Sequence, residues 1–409
     1  MGSCEVFELT NGLQCALQYK KSSVGHIAVA IKAGSRDELE HQQGLAHFIE
    51  HNLFKGTKTR KAYHILSRLD DVGGELNAYT TKEETIIHAS FLKRDFKRAL
   101  ELLGDVLIAS TFPEKELIKE KEVIKDEIYS YKDSPSERIF DDFEDLVFEG
   151  NTLGRNILGT PESVDQLQRE DILEFKSRTY SPSNIKIAIT GPFGPSRVQQ
   201  MTEKNFGHWS LDSKSWQTPS LVKNAPKRVT AHLAQFQDHF MTGWETPGIH
   251  SDDRRALLLL NNVLGGPAMN SRLGLNIREK HGIAYNIESY MNLYSDVGML
   301  GIYLGCDHTQ TKKAEHLVHK EVERFQSKAL GTLQLSKAKN QFVGQMALAE
   351  ENGLNSAIGA ARALLHFGKV SSFSEVAKKI RKLEASDLLR VANQYLSKDH
   401  NFTLVYHKE

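Results

Sequence analysis

One arrangement occurs twice in this chain, and it limits the architectures open to it. A helical stretch at 174–180 ends in Tyr180, passes through Ser181-Pro182-Ser183-Asn184 and enters the β-rich run 185–190. About half a chain later, 391–395 ends in Tyr395, passes through Ser397-Lys398-Asp399-His400-Asn401 and enters the β-rich run 402–406. A helix that feeds a strand in the same way at the end of each half points to an internal repeat. With 409 residues the chain also exceeds what one core holds comfortably. The expectation is an α+β protein of two homologous domains, each an antiparallel-rich sheet packed with helices.

Local patterning fills in the repeat. Two apolar runs, 5–9 and 13–19, flank Asn11-Gly12, a dipeptide that accepts positive φ and so closes hairpins. Residues 26–32 alternate and read as a strand, and 43–54 reads as a helix. Phe96, Leu100, Leu103, Val106 and Leu107 make one apolar stripe at helical spacing, and 114–131 is a charged amphipathic helix. Near 209–228 the periodicity breaks, with Pro219, Pro226 and several Ser and Lys. This places the N-terminal domain at 1–212, a linker at 213–226 and the C-terminal domain at 227–409. The pattern then restarts with a helix at 252–264, strands at 285–290 and 299–304, and long helices from 311 onward. Leu264-Gly265-Gly266-Pro267-Ala268 lacks the lysine and the spacing of a phosphate loop and reads as a glycine turn at a helix end.

Composition narrows function by exclusion. Lys+Arg and Asp+Glu are both 52, so no net field favours nucleic acid or an anionic membrane. The three cysteines, Cys4, Cys15 and Cys306, fit neither a disulfide framework nor a CxxC metal site, which agrees with a reducing compartment. No apolar run reaches the length of a membrane span. The first residues carry Glu5 and Glu8 and do not have the pattern of a signal peptide. A cytoplasmic, bacterial-like location is expected; the mitochondrial matrix or the periplasm enters only if a targeting segment has been removed.

The string His47-Phe48-Ile49-Glu50-His51 carries the chemistry. Positions i and i+4 of a helix share a face, so the two imidazoles can hold one metal ion. Glu50 then lies where it can reach a water on that ion. A hydrolytic zinc site takes three protein ligands and leaves the fourth position to water. The charged helix at 114–131 offers Glu114, Glu116, Glu120, Glu122, Asp126 and Glu127, and spacing alone does not choose among them.

The surroundings do choose. HxxEH is the inverted zinc motif, and the stretch GLAHFIEHNLFKGT at 44–57 resembles the M16 (pitrilysin) family of zinc peptidases. So do GGELNAYT at 73–80, LGRNILGT at 153–160, and SRL at 271–273 followed by REKHGIAY at 278–285. The resemblance spans nearly the whole chain; Asn151 and Asn156 depart from residues common in the family. It implies a third ligand 76 positions after His51, at Glu127, and a second acidic residue seven positions earlier, at Glu120. His47, His51 and Glu127 would hold one Zn²⁺ per chain, Glu50 would act as general base, and Glu120 would orient a ligand. Asn77 and Ala78 would lie on an edge strand that takes an extended peptide through main-chain bonds. Arg278 and Tyr285, seven positions apart as in the family, would assist catalysis and substrate binding.

The implied activity is that of a zinc metalloendopeptidase acting on short or unfolded peptides. Family members enclose substrate between two halves of two domains each, and this chain supplies one half. A homodimer is therefore expected, with Arg278 and Tyr285 of one subunit facing the zinc of the other; a heterodimer with a homologue is the alternative. Two further readings compete: a processing peptidase that removes targeting segments, and a non-catalytic structural homologue. The presence of both His, Glu50 and Glu127 argues against the last.

Overall fold

The computed structural model describes residues 4–210, 216 and 218–409. It opens with β1 (Cys4–Glu8) and β2 (Gln14–Tyr19), the expected hairpin, with Cys4 opposite Gln18 and Glu8 opposite Gln14. The turn uses Gly12 at φ 83°, a conformation L side chains avoid. Then come β3 (Val24–Ile31), α1 (Leu45–Asn52), α2 (Ala62–Asp70), β4 (Glu75–Thr80), β5 (Thr85–Leu92), α3 (Phe96–Ala109) and α4 (Glu114–Lys132). They are followed by α5 (Pro135–Val147), α6 (Pro161–Gln166), α7 (Arg169–Thr179), β6 (Ile185–Gly191) and α8 (Pro195–Phe206).

The second run begins with β7 (Arg228–Leu233), β8 (Asp238–Pro247), α9 (Arg254–Gly265), β9 (Ala284–Leu293), β10 (Val297–Cys306), α10 (Thr311–Ser327) and α11 (Thr332–Glu351). It closes with α12 (Gly353–Phe367), α13 (Phe373–Arg381), α14 (Ala385–Tyr395) and β11 (Phe402–Lys408). Set side by side, the two runs repeat. From β2 to β6 the first matches β7 to β11 of the second, element for element, with α2 inserted.

The sheets repeat too. Their orders are β1-β2-β6-β3-β5-β4 and β7-β11-β8-β10-β9. In each, the last strand of the repeat lies parallel to the first, β6 to β2 and β11 to β7, while the remaining pairs are antiparallel. The place of β6 between β2 and β3 explains its composition. It is buried along its whole length, Lys186 and Thr190 included, with Ile185, Ile187 and Ile189 on one face and Ala188 on the other. Strands β4 and β9 occupy equivalent outer edges. The apolar stripe from Phe96 to Leu107 is buried in the core of the first sheet, as its spacing predicts.

The two sheets fall on either side of the linker expected at 213–226, of which 213–215 and 217 lie outside the described residues, as do 1–3, 211 and 212. The compact units, however, each include a piece from across that boundary. One comprises Met1–Tyr129, Arg155–Ser220 and Ala347–Phe373; the other comprises Ser130–Gly154, Leu221–Met346 and Ser374–Glu409. The crossing pieces carry equivalent helices. In the first unit, α12 lays Ala357, Ala360, Ala361 and Leu364 on a sheet face made of Ala16, Ala28, Ala30, Ile86 and Ala188. In the second, α5 lays Ile139, Phe143, Leu146 and Val147 against Met241, Met299, Tyr303, Phe402 and Leu404. Each helix covers the sheet of the other repeat.

Helix α9 ends at Gly265 as the glycine run implies, although the chain leaves in an extended conformation at Gly266 (ψ 178°) and not through a left-handed glycine. Gly265 is needed for close approach instead: a Cβ there would lie 2.6 Å from Ser289 N on β9. All three cysteines are unpaired. Among the described residues no helix is long and apolar enough to cross a membrane.

Candidate metal centre

Helix α1 begins at Gly44, at φ 88°, where a Cβ would lie 2.7 Å from Leu158 O. Gly44 has no side chain to cap the helix, and Glu38 does so from outside it. Its Oε2 accepts from Gly44 N at 3.0 Å and its Oε1 from Ala46 N at 2.8 Å. Glu38 is only 2% exposed. Burial pushes its carboxyl up to about 8, against the pull of those two N–H bonds and of Lys82 and Arg155. Leu45, Ala46, Phe48 and Ile49 go into the core, and His47 and His51 meet edge-on one turn apart, ring centroids 4.5 Å from each other and planes inclined by 63°. Asn52 Nδ2 donates to Phe48 O at 2.8 Å as the helix ends.

Helix α4 supplies the acidic partners. Glu127 and Glu120 are two turns apart on it and share a face. Glu127 Oε2 lies 3.8 Å from His47 Nε2 and 3.6 Å from His51 Nε2. The three residues' ligand atoms all fall within 4.8 Å of one another. Donors about 2.0–2.2 Å from a tetrahedral zinc ion are roughly 3.4 Å apart, so the cluster is close to the size the ion requires. Two imidazoles and a carboxylate are also the donor set zinc prefers at hydrolytic sites. Burial, and then the neighbouring His51, push His47 down to about 3, which keeps its imidazole neutral, as a ligand must be. Among the described residues its Nδ1 is buried without a hydrogen-bond partner.

His51 is oriented differently. Its Nδ1 meets Glu120 Oε2 at 3.2 Å. A carboxylate there accepts the Nδ1 proton, which leaves the Nε2 lone pair directed at Glu127. Glu120 is itself buried, and its second oxygen is 2.6 Å from Lys55 Nζ. The four side chains form a chain from α4 through α1 to Lys55, one helical turn beyond His51.

Glu50 sits beside this cluster, half-buried. Burial raises its pKa above the usual carboxylate range. The hydroxyl and N–H of Thr80 and the nearby His51 pull it back, while Glu127 adds to the rise. Thr80 is the last residue of β4, so the same strand that borders the site also holds the carboxylate. On β4, Asn77 is exposed and Ala78 buried. The strand pairs only with β5 among the described residues. Ala78 N donates to Asn77 Oδ1 at 2.8 Å, so that N–H points to the open edge and is closed off by its own neighbour.

Arg278 and Tyr285 belong to the second unit. Tyr285 is near the start of β9, equivalent to β4, and is 88% exposed. Arg278 lies in the helical turn Gly274–Glu279 before it, its Nε 3.0 Å from Glu279 Oε1. The first unit thus brings together His47, Glu50, His51, Glu120 and Glu127, with Asn77 and Ala78 on the adjacent strand. Glu38, Lys55 and Thr80 were not anticipated. Lys55 follows His51 at i+4 and could have been found by helical spacing; Thr80 lies within the GGELNAYT string; nothing in the sequence singles out Glu38.

A two-histidine, one-carboxylate cluster that runs from buried His47 through half-buried His51 to exposed Glu127, with an adjacent carboxylate, on a duplicated α+β scaffold, defines a protein of the zinc-peptidase type. Residues 14–161 match the family model described as insulinase (peptidase family M16), and 166–342 match the peptidase M16 inactive domain. A protein named uncharacterized zinc protease from Rickettsia bellii is 31% identical, over 96% of this chain and 95% of its own. The uncharacterized zinc protease YmxG of Bacillus subtilis is 30% identical, over 97% and 96%. A protease of Helicobacter pylori has the same fold, with a TM-score of 0.92 at 23% identity over 99% of both chains. The chain belongs to peptidase family M16.

Proposed function

We propose that the chain is a zinc metalloendopeptidase that hydrolyses short or unfolded peptides. The observation that carries this reading is the convergence of His47, His51 and Glu127 beside Glu50. Zinc held by the three would act as a Lewis acid toward the scissile carbonyl and lower the pKa of the attacking water. Glu50 takes the proton that water loses and returns it to the leaving amine. Its raised pKa suits a group that must do both, and Thr80 holds the carboxylate in place. Glu120 fixes the tautomer of His51, and Lys55 balances its charge.

The open edge of β4 accepts the substrate as an added strand, with Ala78 N–H released from Asn77 as a substrate carbonyl takes its place. Main-chain pairing of this kind selects extended chains over folded ones. Arg278 and Tyr285 of a second copy complete the site, a guanidinium for a substrate carbonyl or carboxylate and a phenol for the oxyanion. The assembly is a homodimer enclosing the peptide between its subunits, with two equivalent sites.

Peptide cleavage and bound zinc are to be measured for wild type and Glu50→Gln, each with and without chelator. Wild type should cleave only with metal, and Glu50→Gln should keep its zinc and lose turnover. Full activity in the variant would overturn the mechanism. Mixing Glu50→Gln with Tyr285→Phe chains should restore cleavage; mixed dimers that stay inactive would refute the shared site.

A further inference from the structure

The repeat has a second corner of the same kind. Helix α9 follows β8 as α1 follows β3, and α11 follows α10 as α4 follows α3. Where α1 and α4 meet, the first unit has its histidine and glutamate cluster. In the second unit, the end of α9, the segment 270–272 and the start of α11 line a cavity of about 210 Å³. Its polar lining is Asn262, Asn270, Ser271, Arg272, Gln334, Lys337 and Gln341, with no carboxylate or imidazole.

We propose that this cavity binds a carboxylate, and specifically the C-terminal carboxylate of a peptide. Arg272 and Lys337 both line it, and among the described residues neither has a carboxylate within ion-pair distance. Glu321 acts on Arg272 from further away but is engaged with Arg324. The Arg272 guanidinium carbon lies over the Phe325 ring, 4.2 Å from its centroid, a cation–π contact that helps hold the side chain in place. Reciprocal amide bonds between Asn270 and Gln341, 3.3 and 3.1 Å, brace the wall beside it. Two cations without an acidic partner, half-buried Arg272 and exposed Lys337, give a wall whose other polar groups are neutral a positive field that favours an anion. A planar guanidinium matches the two oxygens of a carboxylate. The cavity opens to solvent, so the end of a peptide can enter it while the rest of the chain stays outside. The repeat makes physical sense of the exchange: fixed cations present positive charge where the equivalent corner has metal-binding groups. The proposal rests on the peptidase reading only in its source of ligand, since hydrolysis of peptides makes new C-terminal carboxylates.

The test uses the zinc-loaded Glu50→Gln chain, so that nothing is cleaved, and calorimetric titration with an N-acetylated peptide as free acid and as C-terminal amide. The acid should bind at least about tenfold tighter. Lys337→Gln, on the exposed face of α11, should cut that preference about fivefold, and Arg272→Gln should remove it. Acetate should displace the acid more effectively than inorganic phosphate. Equal binding of acid and amide would overturn the proposal, as would a preference that survives both substitutions or phosphate as the better competitor. None of these outcomes depends on turnover, so a failure of the peptidase reading would appear separately, as absent cleavage by wild type.

Discussion

Replacing Glu38 by Gln probes how the motif helix is held. Glu38 is buried, and its carboxyl is raised from an ordinary 4.5 to about 8. A carboxyl raised on folding contributes stability that is fully present below the unfolded value and lost as pH climbs through the folded one. A pKa that differs by one between the folded and unfolded chain corresponds to about 1.36 kcal/mol, so the fold should lose about 2–3 kcal/mol at this residue between pH 6 and pH 9. Gln cannot ionise and carries no such loss. It can, however, accept from only one of Gly44 N and Ala46 N, and leaving the other buried N–H unpaired costs about 1–3 kcal/mol. The variant should therefore be the less stable protein at pH 6, and the gap should close or reverse by pH 9. The assay is urea unfolding in chelator, followed by tryptophan fluorescence. Trp216, whose Nε1 donates to Asp37 Oδ1 at 3.0 Å, reports on the segment next to Glu38. Wild-type and variant stabilities that run parallel between pH 6 and pH 9 would refute the reasoning.

Other substitutions address the site and the scaffold. Glu120→Gln should weaken zinc binding about 10–100-fold, measured by competition with a chelator, because His51 loses its charged partner. Thr80→Val should move the acid limb of kcat/KM to higher pH, since Glu50 loses a hydrogen bond to its charged form; an unmoved limb would mean Glu50 is not the titrating base. Leu364→Ala should destabilise the first unit by about 2–5 kcal/mol through a cavity under α12, measured by thermal or urea unfolding.

Much of the architecture could be read in the residues. The helix-turn-strand endings at Tyr180 and Tyr395 became α7–β6 and α14–β11, and the repeat they implied extends through the strand order of both sheets, β1 apart. The hairpin at Asn11-Gly12 and the stripe from Phe96 to Leu107 formed because local turn chemistry and periodicity decide such elements. The cluster of His47, His51 and Glu127 was legible because a helical i, i+4 pair and a family spacing fix it. What the sequence withheld is tertiary. An amphipathic helix such as α5 or α12 declares that it will bury one face, not which sheet it will bury it against. Glu38 and Thr80 act across the chain on groups near in space and far in sequence, where no period connects them. The order of Ala78 and Asn77 on the edge was foreseen, but not that Asn77 would close the N–H it was expected to leave open.

The exchange of α5 and α12 also has consequences for how the molecule is made. The alanine face of the first sheet is complete once β6 has been synthesised, yet the helix that covers it ends at Phe367. During translation that face must wait for more than a hundred and fifty further residues, exposed or shielded by a chaperone. Expressed alone, a fragment ending near residue 226 would carry α5 with no sheet to cover and a sheet with no α12. Its complement would have the mirror defect. The two pieces should each be insoluble or poorly ordered and should fold when produced together, since each holds the lid of the other. A cut in the gene between the repeats thus divides the sequence without dividing the protein.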